Sequence, residues 1–202
     1  MSQIKLLHSG GNGVSIVAPD SNPASDRTLK LPSDGDGTIL TTNSSVGKIL
    51  QVVQAVKKNR QTINSTTLVD ITGMSVSITP SSASNKVLVN YSLVVFSNAV
   101  YYALRLLRNS DSTIFVGDEN PSATSQNRAS FGSYDSSYVS ADTIAQSFLD
   151  SPNTTSATTY KLQAYSPYSS AYTIGINSGV ALDNYTYMNN CVSTITAMEV
   201  AA

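Results

Sequence analysis

The chain of 202 residues has one cysteine, one histidine, no tryptophan and little charge. One cysteine, Cys191, excludes an internal disulfide framework and any cysteine-rich metal site. A lone histidine, His8, leaves little room for His-based catalysis, which needs a nucleophile and an orienting carboxylate within hydrogen-bond reach. Charged residues make up 12% of the chain, against about 25% in an ordinary soluble domain. The 12 Lys and Arg balance the 13 Asp and Glu, so no basic footprint for nucleic acid is present. No apolar run approaches the roughly 20 residues of a helical membrane span, and no membrane insertion is expected. Residues 1–8 hold too short an apolar stretch for a secretory signal. The N-x-[ST] triplets at Asn43, Asn64, Asn153 and Asn184 are accordingly read as composition rather than glycosylation sites.

Ser, Thr and Asn together supply roughly a third of the chain, and 41% of it is hydrophobic, enough to bury a core. Tyrosine, with 11 copies, provides most of the aromatic content. This composition points to a polar-surfaced β protein with a structural or adhesive role.

Residues 1–45 differ in texture from the rest. Gly10-Gly11-Asn12-Gly13 is a turn cluster, followed by a short strand pattern at Val14, Ile16 and Ala18. Thr28–Pro32 and Thr38–Thr42 are two more, separated by the Asp34-Gly35-Asp36-Gly37 turn, since Asp-Gly tolerates positive φ. Asp34–Gly37 lacks the later ligands of a calcium loop. Strands this short bury too little to stand alone, so the segment is expected to pack against a partner.

Beyond residue 46 strand signals recur with turns between them. Lys48–Lys57 is apolar on both faces, as a strand covered on two sides is. Met74, Val76 and Ile78 alternate with Ser and Thr, as a half-buried strand does. Further strands are expected at Lys86–Ser97, Tyr101–Arg108, Thr113–Val116, around Ile144–Phe148, around Tyr160–Ala164, around Tyr172–Asn177 and at Ser193–Val200. The remainder of 109–141 reads as loop. About eight strands without a helix predict an all-β fold, a β-sandwich or jelly roll over 46–202 preceded by an extended attachment segment over 1–45.

Candidate chemistry is sparse, and neither an enzyme nor a cofactor or metal site is expected. His8 reads as an exposed or interface residue and Cys191 as an unreactive thiol. A glycosidase needs two carboxylates about 5–9 Å apart. Asp118 and Glu119 with Asp135 or Asp142 are the nearest to such a set, and solvated loop carboxylates are the commoner outcome. Tyrosine is more informative, because it offers a broad apolar face and a hydroxyl at low entropic cost. Tyr134, Tyr138 and Tyr168, with Asp118 and Glu119, are the candidates for a receptor-contacting surface, within loops 117–141 and 165–170. Tyr160 and Tyr172 are expected to fill the edge of the core.

Asn22-Pro23-Ala24-Ser25-Asp26-Arg27-Thr28-Leu29-Lys30-Leu31-Pro32, then Asp36-Gly37-Thr38-Ile39-Leu40-Thr41-Thr42, resembles a segment common in bacteriophage tail-fibre proteins. Val46–Gln54 follows it as in marine phage and cyanophage appendage proteins. Ile71–Pro80, Asn85–Val89, Leu149–Ser156, Tyr160–Gln163 and Ser193–Val200 also resemble that family, so the likeness runs in order along nearly the whole chain. None of these motifs is catalytic.

The resemblance implies a virion appendage, usually a homotrimer, assembled in the bacterial host cytoplasm. Its N-terminal part would attach to other virion proteins, with Ile4, Leu6, Leu7, Val14, Ile16, Arg27, Leu29 and Leu31 as candidate attachment residues. Its sandwich would face outward and bind a host surface glycan or protein. The short N-terminal segment implies a short fibre or spike. A capsid-decorating head fibre or tail-associated decoration protein is the alternative, and a glycan depolymerase or a cellular TNF-like or C1q-like trimeric ligand a more distant one.

Overall fold

A computed structural model describes residues 3–7, 9–11, 13–17, 48–98, 101–109, 112–115, 117, 128–134, 140–179 and 189–202. The chain divides into two compact units, residues 1–44 and 45–202.

In the first unit, β1 (Gln3–Leu7) and β2 (Gly13–Val17) form an antiparallel hairpin. Ile4 pairs with Ile16 and Leu6 with Val14, so four of the candidate attachment residues occupy two facing positions; Leu7 pairs with Gly13. β1 is an addition to the sequence reading. Its signal was the alternation of Ile4 and Leu6 around Lys5, followed by the glycine cluster that turns the chain back. Arg27, Leu29, Leu31 and His8 lie outside the described residues.

The second unit is all-β, a two-sheet sandwich with no helix among the described residues. Its strands are β3 (Ile49–Lys57), β4 (Gln61–Ile63), β5 (Val69–Ile78), β6 (Lys86–Ser97), β7 (Tyr101–Arg108), β8 (Ser112–Phe115), β9 (Phe131–Tyr134), β10 (Ser140–Asp150), β11 (Thr158–Tyr165), β12 (Ile174–Ile176) and β13 (Ser193–Val200). The short β4 and β9 are the strands that periodicity missed, three and four residues being too few to show a period.

All pairings are antiparallel. The first sheet is organised around β6. β10 pairs along its whole length on one side. On the other side β13 pairs with Lys86–Ser92 and β12 with Val95–Ser97, end to end. β3 and β4 continue outward, β3 beside β13 and β4 beside β12. The second sheet runs β5-β11-β7-β8, with β9 also on β7.

The two sheets share one core. Val87, Val89, Tyr91, Leu93 and Val95 of β6 alternate inward, the period-2 pattern of a strand with one covered face. They meet Met74, Val76 and Ile78 of β5, Leu104 and Leu106 of β7, and Tyr160 and Leu162 of β11 in one cluster. Truncating a fully buried leucine here costs about 2–5 kcal/mol.

Where β12 hands over to β13 the chain makes an excursion, and Asn177 closes its base in left-handed conformation (φ 65°). Its N–H donates to the Val94 carbonyl at 3.0 Å, and its carbonyl accepts from Cys191 N–H at 2.8 Å. Its side-chain Nδ2 donates to the Lys57 carbonyl at 2.8 Å, and Ser193 Oγ donates to its Oδ1. Val94 N–H donates to Ser193 Oγ at 3.0 Å. These bonds satisfy the backbone of β6 where neither β12 nor β13 pairs with it, as buried polar groups require. Just before, a Cβ at Gly175 would lie 2.5 Å from the Ser178 carbonyl oxygen, so only glycine fits there.

Candidate functional site

β10 carries polar residues into the core. Asp142, Ile144, Gln146, Phe148 and Asp150 share its inner face by alternation, and each polar member meets a tyrosine hydroxyl. Tyr102 Oη donates to Asp142 Oδ2 at 2.8 Å, and Tyr91 Oη donates to Gln146 Oε1. Tyr160 Oη donates to Asp150 Oδ2 at 2.7 Å. Tyr102 and Tyr160 belong to the second sheet, so two of these bonds cross the sandwich. Arg108 Nη1 reaches both Asp150 oxygens at 2.9 Å. Burial raises the pKa of Tyr91; burial and then the Asp150 hydrogen bond raise that of Tyr160. These phenols stay protonated and act as donors.

This arrangement is a clamp between sheets. Asp142 and Asp150 stand eight residues apart on one strand, roughly 26 Å at about 3.3 Å per residue, far beyond the about 5–9 Å of a glycosidase pair. Asp142 is engaged by Tyr102. Asp118, Glu119, Asp135 and Tyr138 lie outside the described residues.

Tyr168 is 68% exposed and stands in an aromatic group. Its ring centroid lies 5.6 Å from that of Tyr101 and 6.0 Å from that of Tyr172, within the range of tilted aromatic pairs. Tyr134 of β9 is the backbone partner of Tyr101. Asn64 Nδ2 donates to the Tyr172 carbonyl at 3.3 Å and to Thr173 Oγ1 at 2.6 Å, tying the end of β4 to this group. Tyr160 is buried in the core as expected, whereas Tyr172 is half-buried in the surface group, because the strand there begins only at Ile174.

The outer face of the first sheet carries three successive rows without an ionisable side chain. Register aligns Val52, Met198, Leu88 and Leu149 in one row across β3, β13, β6 and β10. The next row is Gln54, Thr196, Asn90 and Ser147, and the third is Val56, Thr194, Ser92 and Ala145. No position in the three rows is ionisable. Val52 is 59% and Leu149 48% exposed, and Leu50 and Val56 are exposed beside them. β3 is thus covered by its own chain on one face only. Its inward residues Val53 and Ala55 pack on the core, while its outward Leu50, Val52 and Val56 are exposed and Gln54 donates to Thr196 Oγ1 at 2.9 Å. The outer face of the second sheet differs in kind. There Asp70 accepts from Lys161 Nζ at 3.0 Å and from Gln163 Nε2 at 2.6 Å, among Ser75, Ser77 and Thr159.

Among the described residues no group of three His, Cys, Asp or Glu side chains is placed to hold a metal. No family model and no curated protein matches the chain.

Proposed function

We propose that this chain is a non-enzymatic structural protein of a bacteriophage virion, a short homotrimeric fibre or spike that displays a host-binding β-sandwich. One observation carries the reading: the three uncharged rows on the outer face of β3, β13, β6 and β10, with the row Val52–Met198–Leu88–Leu149 and an edge strand, β3, that no other described strand pairs beyond β13. An exposed apolar patch flanked by polar rows marks an association surface, and an open strand edge invites pairing unless it is covered. A second copy fits these three rows, because they present no charge to repel their like. Around a three-fold axis the like faces of three copies turn toward one another, and each is covered. The segments resembling phage appendage proteins supply the virion context. The exposed group of Tyr101, Tyr168 and Tyr172 on the same sandwich suits stacking on sugar rings or protein side chains of a host surface.

Light scattering on the full chain tests the assembly. A mass of about three chains is expected. A single-chain mass would remove the basis of the fibre reading and favour the decoration protein, whose face would be covered by a neighbouring virion protein instead.

A further inference from the structure

The turn from β3 to β4 reads Lys57-Lys58-Asn59-Arg60. These residues, with Gln61, Thr72 and Gly73, line a depression of ≈ 490 Å³. Three of the lining residues are cationic and none is acidic. The carboxylate on neighbouring β5, Asp70, is engaged by Lys161 and Gln163. Among the described residues, no carboxylate pairs with Lys57, Lys58 or Arg60.

Lys57 is the unusual member, at only 4% exposed. An ammonium group has three N–H donors. The acceptor it meets among the described residues is the Thr72 carbonyl, at 2.8 Å. Burying a cation without a counter-charge costs free energy, and burial lowers the Lys57 pKa accordingly. The surroundings nonetheless hold it in place. Asn177 fixes its carbonyl. Its Cβ would stand 3.6 Å from a Cβ at Gly73, a residue with φ +82°. Gln61 ties the wall across, donating to the Asp70 carbonyl at 3.0 Å and accepting from Thr72 N–H at 2.8 Å. A fixed, under-satisfied cation with two exposed ones at its rim is an arrangement that an anion completes.

We propose that this depression binds an oxyanion, with Lys57 as the fixed donor and Lys58 and Arg60 closing on it from the solvent side. Phosphate, sulfate and the carboxylate of an acidic sugar share the chemistry it recognises, and the guanidinium fork of Arg60 suits any of them. The inference does not depend on the virion reading.

Thermal unfolding of the full chain tests it, with sodium phosphate, sulfate, glucuronate or acetate titrated against chloride at equal ionic strength. The wild type is expected to gain melting temperature saturably with at least one oxyanion. Lys58→Ala/Arg60→Ala, which changes two exposed residues, is expected to melt like the wild type in chloride and to bind about tenfold or more weakly, the loss of one charge-assisted bond or more. Lys57→Met should abolish the response; if that variant does not fold, the double variant still decides. A glucuronate response exceeding that of acetate assigns the site to an acidic sugar, and a phosphate or sulfate response assigns it to a free or ester anion. Equal gains in wild type and double variant would reduce the effect to bulk salt and overturn the proposal, as would no gain with any of the four anions.

Discussion

Tyr160 of the second sheet donates its hydroxyl to Asp150 of the first at 2.7 Å, and Arg108 grips the same carboxylate from beside it. The pair joins the end of β10 to the start of β11. A carboxylate this deeply buried is tolerable only while its donors are present. Tyr160→Phe removes one donor and leaves the other. The expected loss is about 1–3 kcal/mol by denaturant unfolding, without change in the circular dichroism of the folded state. Asp150→Ala strands both Arg108 and the Tyr160 hydroxyl and should cost more than Tyr160→Phe.

Glu199 gives the fold an acid-sensitive point. Its Oε1 accepts from Ser81 N–H and Ser81 Oγ at 2.7 Å and from Asn85 Nδ2 at 2.6 Å. Burial pushes its pKa up, but the hydrogen bonds from Ser81 and Asn85 outweigh burial and hold it below the usual glutamate range. A carboxyl whose pKa is depressed by folding contributes stability above its unfolded pKa and loses it as pH falls through the folded one. Stability measured from pH 6 down to pH 3 should therefore fall. In Glu199→Gln the fall should be shallower and the stability at pH 6 lower, by about 1–3 kcal/mol for charge-assisted bonds.

Gly175→Ala places a methyl against the Ser178 carbonyl oxygen, with backbone rather than a flexible side chain in the way. The excursion after Ile176 must shift, and a clear drop in thermal stability is expected. Ala at Gly132, where a Cβ meets only the Tyr102 carbonyl oxygen at 3.9 Å, is the control and should be near neutral.

An interface without charged side chains responds to salt differently from an ion-paired one. Screening at 1 M salt shortens electrostatic reach to about 3 Å and leaves apolar contact intact. The mass in solution should be the same in low and high salt. Dissociation at high salt would place the contact elsewhere.

The strand framework was legible because one face of each long strand is buried, so Val87 to Val95 and Met74 to Ile78 announce themselves by alternation. β13 stands at the bounds read for it, Ser193–Val200. The polar inner face of β10 was legible in part. Ile144, Gln146 and Phe148 mark the strand, and the four-residue spacing of Asp142, Gln146 and Asp150 puts all three on the same face. Their partners could not be read, since Tyr91, Tyr102 and Tyr160 come from distant parts of the chain. Lys57 was missed for a related reason. It closes an apolar strand, where a lysine normally turns to solvent, and only the packing of β5 and Asn177 around it brings it under cover. The exposure of Tyr168 was legible, but its association with Tyr101 and Tyr172 depends on how the β11–β12 connection meets the start of β7.

The most direct test of the central claim is the solution mass of Val52→Lys/Leu149→Lys beside the wild type, by light scattering at one protein concentration. Both positions are exposed in the single chain, so the fold is expected to survive, as circular dichroism would verify. The account predicts about three chains for the wild type and one for the folded variant, because two charges per copy then lie in a row that has none. A folded variant that keeps the wild-type mass would show that the copies meet through another surface and would contradict the account.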